Sequence, residues 1–331
     1  GNDNAGNGTI KVTIKGEGVA AGRATGDPTQ ALENTVKSFT VYVFNNATGV
    51  LEQSQTFSTG LTGQMTGLSV ASTKKVVVFV NQPAGYASIA NYSDFEQASS
   101  MISLDSQVPE DFSTKGLFMS GEYDSPVTLS TETTAISVPV KRLTAKVRLG
   151  SLTVTPDQNV SLDKFVLSGV SIQKARDKAQ VLGQLATTGF TYVGGIEGST
   201  SSAGVTPKSY LNESYSLPEN YVGGSRLTPQ VYFYVFPNDN TDNHSTILTL
   251  HGTYDGEPMY YSFYVNDKAE AGENATDGTW IQRNKIYTLN VTLKKLGSGS
   301  ENPDVPNELV SMDVTVEVAD WDGELIQDVE W

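Results

Sequence analysis

"TIKVTIK", Thr9 to Lys15, alternates apolar and polar residues without a break. Ile10, Val12 and Ile14 share one face of an extended chain, while Lys11, Thr13 and Lys15 share the other. A period of two marks a strand buried on one side only. Behind it runs "GVAAGRATGDPTQ", Gly18 to Gln30, where Arg23 stands alone among glycine, alanine and small polar residues. The next strand starts only at "VKSFTVYVF", Val36 to Phe44. A hairpin loop takes about two to five residues, so this connection is too long to be one. Its glycines and small side chains predict a tether whose backbone a protease can reach.

The strand pattern continues outward from there. Phe39, Val41 and Val43 alternate with Thr40, Tyr42 and Phe44. "KKVVVFVN", Lys74 to Asn81, is a continuous β-branched run, which reads as a central strand covered on both faces. Further strands are read at "KGLFMSG", "TAISVPV", "RLTAKVRLGSLTV", "KFVLSGVSI", "QVYFYVFP", "STILTLHGTY", "MYYSFYV", "KIYTLNVTLK" and "VSMDVTVEV". Glycine and asparagine punctuate them, the signature of an all-β chain. One helix is predicted, at "SDFEQASSMIS". Ser93 and Glu96 stand at capping-box spacing there, and Phe95, Ala98 and Ile102 fall on one side. Its expected role is to cover a sheet edge or end.

The strands group into a first domain over residues 1–140 and a second over 141–296, with a linker and tail over 297–331. The first domain carries the strand at 9–15 and the loop at 16–35. "LGSGSENPDVPNE" is a Gly/Ser/Pro linker. Its 12 residues from Gly297 to Glu308 could span roughly 40 Å when extended. The tail beyond it is amphipathic. Val310, Met312, Val314, Val316 and Val318 form one face, and Ser311, Asp313, Thr315 and Glu317 the other.

Composition narrows the function. Lys+Arg is 22 against Asp+Glu 37 over 331 residues, a net charge of −15. Such a surface repels nucleic acid and anionic headgroups, so neither is expected as a partner. Cysteine is absent, which removes disulfides, thiolate nucleophiles and zinc–thiolate sites together. No stretch is long and apolar enough to span a bilayer as a helix. The polar leader "GNDNAGNG" is not a signal peptide, and a targeting segment is expected to have preceded it.

Chemistry finds little footing. The two histidines, His244 and His251, belong to neither HExxH nor a supported Ser-His-Asp order. "FPNDNTDNHS" gathers Asn238, Asp239, Asn240 and Asp242 without the register of a calcium loop, and reads as a solvated turn. No glycine-rich loop opens a helix to cradle phosphate. Tyr260, Tyr261, Phe263, Tyr264 and Trp280 would suit a sugar platform, but alternating aromatics are more often core on one face. No catalytic residue, cofactor or metal ligand is assigned, and the chain is not read as an enzyme.

A first strand before a cleavable tether and a last strand on a long linker have one joint explanation. An extended segment can complete a sheet with ladder hydrogen bonds and alternate side chains. Loss of the first strand would leave an apolar groove with unpaired edges. The tail of another copy has the pattern to refill it, and head-to-tail exchange of this kind builds a filament.

At this point the chain resembles the fimbrillins, or type V pilins, of Bacteroidales, the class of the major fimbrial subunit. The resemblance runs nearly end to end. It is carried by "NGTIKVTIK", "GRATG", "VKSFTVYVFN", "KVVVFVNQPAG", "VKRLTAKV", "IQRNKIYTLNVTL" and the closing "VTVEVADW…VEW". It implies an all-β fold of two transthyretin-like β-sandwich domains, with the short helix in the first.

The resemblance also implies an outer-membrane lipoprotein precursor anchored through a cysteine before Asn2. An arginine-specific surface protease would cut at Arg23–Ala24 and free the strand bearing Ile10, Val12 and Ile14. The donor row of Val310, Met312, Val314, Val316 and Val318 would then enter the next subunit. The implied partners are other copies and related pilin subunits, with a host or bacterial surface ligand left open. The place is the cell surface, in an adhesive fimbrium. The alternative reading is a surface glycan-binding lipoprotein built from similar sandwiches.

Overall fold

In a computed structural model of the chain, the described residues are 6–16, 30–108, 115–183, 185–196, 207–239, 244–266, 281–297, 312–321 and 326–327. They fall into two units. The first takes Gly1–Leu143, Ala179–Thr188 and Trp321–Trp331, and the second takes Thr144–Lys178 and Gly189–Asp320. The chain therefore passes from one unit to the other just after Leu143. It returns for the short segment from Ala179, and the tail is shared between the two.

In the first unit the strands are β1 (Gly8–Gly16), β2 (Thr35–Val36), β3 (Phe39–Asn45), β4 (Leu51–Phe57) and β5 (Thr62–Leu68). They continue with β6 (Lys74–Val80), β7 (Ile102–Ser103), β8 (Met119–Glu122) and β9 (Thr133–Arg142). The order is β4-β3-β6-β8-β9-β1-β5. β9 joins the two layers of a sandwich. Its residues 133–140 run parallel to β1, whereas Lys141 and Arg142 pair with β8. Alternate residues of both layers meet in one core, with Ile10 and Val12 from β1, Val41 and Val43 from β3, Val76 and Val78 from β6, and Ile136 and Val138 from β9.

β3 and β6 are covered on both faces, as the continuous run at "KKVVVFVN" requires. Val76 to Val80 are fully buried. Tyr42, Phe44 and Phe79 point away from the first core into an aromatic cluster around Phe95, with ring centroids 5.4, 5.7 and 5.0 Å from it. Lys74 at the start of β6 is buried and pairs with Glu52 and Ser72. Lys75 lies over the Tyr92 ring at 4.1 Å.

The predicted helix is not one helix. It is two 3₁₀ turns, Tyr92–Glu96 and Ala98–Ser100, separated by Gln97 in an extended conformation. The cap is displaced as well. Asp94 accepts hydrogen bonds from the backbone of Ala90 and Asn91 at 2.9 Å, so Asn91 takes the position expected for Ser93. Those bonds hold the Asp94 carboxyl below its ordinary pKa. Four aromatic partners around Phe95 dictate the path, and a regular helix is given up to seat that ring. The segment covers a face of the sheet rather than its edge.

In the second unit the strands are β10 (Ala145–Val154), β11 (Phe165–Gln173), β12 (Ala175–Arg176), β13 (Lys178–Ala179, where the chain returns to the first unit), β14 (Tyr192–Val193) and β15 (Asn212–Ser214). Then come β16 (Arg226–Leu227), β17 (Val231–Val235), β18 (Ile247–Tyr254), β19 (Glu257–Tyr264), β20 (Lys285–Leu293) and β21 (Met312–Asp320). A last strand, β22 (Ile326–Gln327), belongs to the first unit. One layer is β10 with β16 and β17 on one side and β20 then β21 on the other. The second layer is β15-β11-β18-β19. Val147, Leu149, Leu289 and Val291 are buried from the first layer, and Val170, Ile172, Leu248 and Leu250 from the second. The fold is all-β, with two β-sandwiches.

Both units close in the same way. The first strand lies parallel to the last strand of its own sandwich, β1 against β9 and β10 against β20. An antiparallel strand flanks the other side, β5 in one unit and β17 in the other. The aromatic cluster gives a direct test of the first unit's packing. Phe95→Ala removes a ring that is 3% exposed and should lower unfolding free energy by about 3–5 kcal/mol. Urea denaturation would measure this, and a loss below about 1 kcal/mol would mean that the cluster does not organise the segment.

Candidate functional site: the first strand, its slot and the tail

β1 is an interior strand. It runs parallel to β9 from Thr9↔Thr133 to Gly16↔Val140. It runs antiparallel to β5, with Ile10 opposite Met65, Val12 opposite Gly63 and Thr13 opposite Thr62. Ile10, Val12 and Ile14 are buried in the core while Lys11 and Lys15 are exposed. Thr13 and Thr62 are joined through their hydroxyls at 3.0 Å. Gly63 is where Phe57 crosses β5. A Cβ there would meet the Phe57 ring at 2.6 Å, and that ring stacks on Phe39 with centroids 5.1 Å apart.

Without β1, the edges of β9 and β5 would face each other across two strand spacings, roughly 9.5 Å. Met65 and Leu68 of β5 and Ile136, Val138 and Val140 of β9 would flank the gap with apolar side chains. One extended segment fits such a slot, with alternate side chains down and both ladders satisfied.

The chain that re-enters after the glycine-rich segment is firmly held. Gln30–Glu33 makes a single α-helical turn, and Thr35 and Val36 form β2. Glu33, Asn34, Thr35 and Val36 are buried. The Arg142 guanidinium donates from Nε to the Glu33 carbonyl at 3.2 Å and from a terminal nitrogen to the Asn34 side-chain oxygen. Asn81 donates to the Thr35 and Leu117 carbonyls at 2.8 Å and accepts from the Lys37 backbone at 2.7 Å. The loop expected over 16–35 is thus corrected at its far end, because two buried polar side chains anchor residues 33–37. Arg23 and Ala24 lie outside the described residues.

The tail is paired along nine residues. β21 runs antiparallel to β20 from Lys285↔Asp320 to Leu293↔Met312. Val314 stands opposite Val291, Val316 opposite Leu289 and Val318 opposite Tyr287. The tail covers the open edge of β20, because an unpaired ladder beside an amphipathic strand is satisfied by the nearest segment of the right period. Among the described residues the tail nevertheless occupies an edge, with one ladder partner where β1 has two. Val314 is half-buried and Thr315 exposed. Val310 lies outside the described residues.

Immediately after β21, Trp321 is buried in the first unit beneath Arg142, whose guanidinium carbon lies 4.3 Å from the indole ring. β22 then runs parallel to β2, with Thr35↔Ile326 and Val36↔Gln327. The sequence reading assigned no role to Arg142 or Trp321. An aromatic residue directly behind an amphipathic row was the available signal, but nothing in the sequence pairs it with an arginine far upstream.

The remaining polar candidates are engaged structurally. His251 sits 3.1 Å from the Asn212 side-chain oxygen, and burial pushes its imidazole pKa down. His244 stacks on Tyr192 at 4.4 Å. Asn238 donates to the His244 carbonyl at 2.7 Å and to the Thr246 hydroxyl at 3.0 Å, and Asp239 pairs with Arg176 at 3.0 Å. Tyr261 and Phe263 are core residues, while Tyr260 and Tyr264 on the alternate face are half-buried. Among the described residues, no three His, Cys, Asp or Glu side chains converge as a metal site requires.

Comparison with known proteins bears on the family and the fold. The family profile described as major fimbrial subunit protein (FimA) matches residues 7–161, and that of the major fimbrial subunit protein type IV, fimbrillin, C-terminal, matches residues 252–324. No curated protein matches the sequence. Among solved structures, a candidate cell adhesion protein of Bacteroides eggerthii is similar with a TM-score of 0.72 at 22% identity, covering 97% of this chain and 98% of that one. A fimbrilin of Porphyromonas gingivalis gives 0.68 at 18% identity, over 98% and 99% of the two chains. A candidate cell adhesion protein of Parabacteroides distasonis gives 0.65 at 17% identity, over 98% and 100%.

The two faces of β1 make opposite predictions. Ile10→Ala should destabilise the uncut chain by about 2–5 kcal/mol, whereas Lys11→Ala should stay within about 0.5 kcal/mol of wild type. Chemical denaturation of both variants would show this, and equal losses would contradict the burial pattern.

Proposed function

Since the chain belongs to the fimbrillin family, we propose that it is a structural subunit of surface fimbriae that polymerises by protease-triggered strand exchange. The observation that carries this reading is the position of β1, an interior strand whose apolar face fills the core and whose connection onward is the glycine-rich segment with Arg23. Cleavage at Arg23–Ala24 would let β1 depart and open the slot between β9 and β5. The donor is the tail of a second copy, with Val310, Met312, Val314, Val316 and Val318 as its apolar row.

The energetics favour this direction. At the edge of β20 the tail has one ladder partner, and in the slot it would have two. Burying five Val- or Met-sized side chains from water carries a gross term of roughly 7–15 kcal/mol as an upper estimate, and the part already gained against β20 does not count toward exchange. Ordering the linker and tail opposes it. While β1 is present, the slot is filled from within the same chain, so the uncut subunit stays monomeric. Donor and acceptor lie on different surfaces of one chain, so the contact is head-to-tail and does not close.

In this reading the precursor is an outer-membrane lipoprotein, and the mature subunit is an adhesive element with no catalytic role. Its partners are other copies, related pilin subunits and an arginine-specific surface protease. Low-dose trypsin followed by mass spectrometry and electron microscopy tests the scheme. The wild-type chain should be cut first after Arg23 and then form fibres, and Arg23→Ala should lose that cut and remain monomeric. Val314→Asp should fold, because Val314 is only half-buried at a sheet edge. It should be cut normally and form no fibres, since it would bury an unpaired carboxylate in the slot. Fibres of normal yield from either variant would sink the proposal.

A further inference from the structure

Resting on that strand-exchange reading, we infer that the tail copies β1 place by place and enters the slot of a second copy in one register. Ser311 to Glu317 take the places of Thr9 to Lys15, and Thr62 recognises the donor through Thr315. The two segments, "TIKVTIK" and "SMDVTVE", carry this correspondence. Met312 takes the place of Ile10, Val314 of Val12 and Val316 of Ile14, so each buried place keeps an apolar side chain. Ser311 takes the place of Thr9 and Thr315 that of Thr13, so both hydroxyl places keep a hydroxyl. Only the charge differs, because the exposed Lys11 and Lys15 give way to Asp313 and Glu317.

The apolar row alone would tolerate a shift of two residues either way, since the side-chain period is kept. The ends of the slot remove that freedom. Gly8 is buried at the start of β1, and a Cβ there would meet the Leu68 carbonyl at 2.8 Å and Leu129 at 3.1 Å. A donor is therefore seated from the place of Thr9 onward. At the far end Gly16 stands on the inward parity opposite Val140, which is 1% exposed. In the inferred register Val318 reaches the place of Gly16, and Met312, Val314, Val316 and Val318 all face the core.

Each shifted register puts a carboxylate at an end of the slot. With Val314 at the place of Ile10, Met312 meets the obstruction at Gly8 and Asp320 lands opposite Val140. With Val310 at the place of Ile10, Glu308 lands where Gly8 is buried. Both place a charge against apolar neighbours, which costs free energy. Thr62 adds a selection on the outward face. Its hydroxyl meets that of Thr13 at 3.0 Å in the uncut chain. In the inferred register Thr315 brings a hydroxyl back to that place, whereas the shifted donors bring Glu317 or Asp313. Paired threonines across a ladder stabilise it.

Paired cysteines read the register directly, because the chain has none of its own. Asp313→Cys is combined in the full chain with Thr133→Cys, Ala135→Cys or Ser137→Cys. These are three exposed places on β9, opposite Thr9, Lys11 and Thr13. Each double variant is then trypsin-treated, assembled, oxidised and resolved on a non-reducing gel. Strands about 4.8 Å apart lie within disulfide reach.

Ala135→Cys should give intersubunit ladders in about tenfold excess over the other two. Adding Thr62→Val or Thr315→Val, which removes one hydroxyl and keeps the shape, should cut that excess by about two- to fivefold. Adding Asp320→Val should raise the Thr133→Cys product toward that of Ala135→Cys, because no carboxylate then meets Val140. Dominance of Thr133→Cys or Ser137→Cys overturns the register and leaves strand exchange standing. An unchanged excess in both threonine variants overturns the role of Thr62. Fibres that crosslink at none of the three places, or no fibres from the trypsin-treated wild type, overturn the exchange reading and this inference together.

Discussion

A sandwich cannot keep an empty position between two interior strands, and the first unit is organised around that constraint. β1 supplies two ladders and three buried side chains to a slot bounded by β9 and β5. With those groups removed, the backbone polar atoms of both neighbours lose partners and the core loses its cover. The unit must then refill the slot or expose it. The strand that fills this slot is joined onward through the glycine-rich segment containing Arg23.

Arg142 shows how a buried charge can join separated parts of a chain. A guanidinium with almost no exposure needs partners for its donors and face. Here these come from the Glu33 carbonyl, the Asn34 side chain and the Trp321 ring. One residue at the end of β9 therefore touches the segment that follows the first strand's connection and the residue that follows the tail strand. Removing any partner would leave part of that charge uncompensated, so the three segments behave as one cluster.

The two units set equivalent first strands on different connections. β10 holds the same place beside β20 that β1 holds beside β9. Only Leu143 and Thr144 separate β10 from the end of β9. β1 is joined onward through a long glycine-rich stretch containing Arg23. Equivalent positions in the two sandwiches thus differ in connection rather than in pairing. Among the described residues, the second unit carries a strand on the outer edge of β20, and that strand is the tail.

Periodicity by itself determined the all-β class, the inward faces of β1 and β3, and the double covering of β6. Each of those depends on nearest neighbours along the chain, where a period of two is visible. It also singled out the first strand and the tail as unusual, because composition shows glycine-rich and Pro-rich connections directly. The helix at Ser93 was misread because capping residues and apolar spacing are local, whereas the seat for Phe95 is built by Tyr42, Phe44 and Phe79 from distant strands. The attachment of the tail to β20, the anchoring of residues 33–37 and the Arg142–Trp321 pair were decided by tertiary structure alone. Each joins groups far apart in sequence, and only the folded backbone says which unpaired edge and which buried charge they meet.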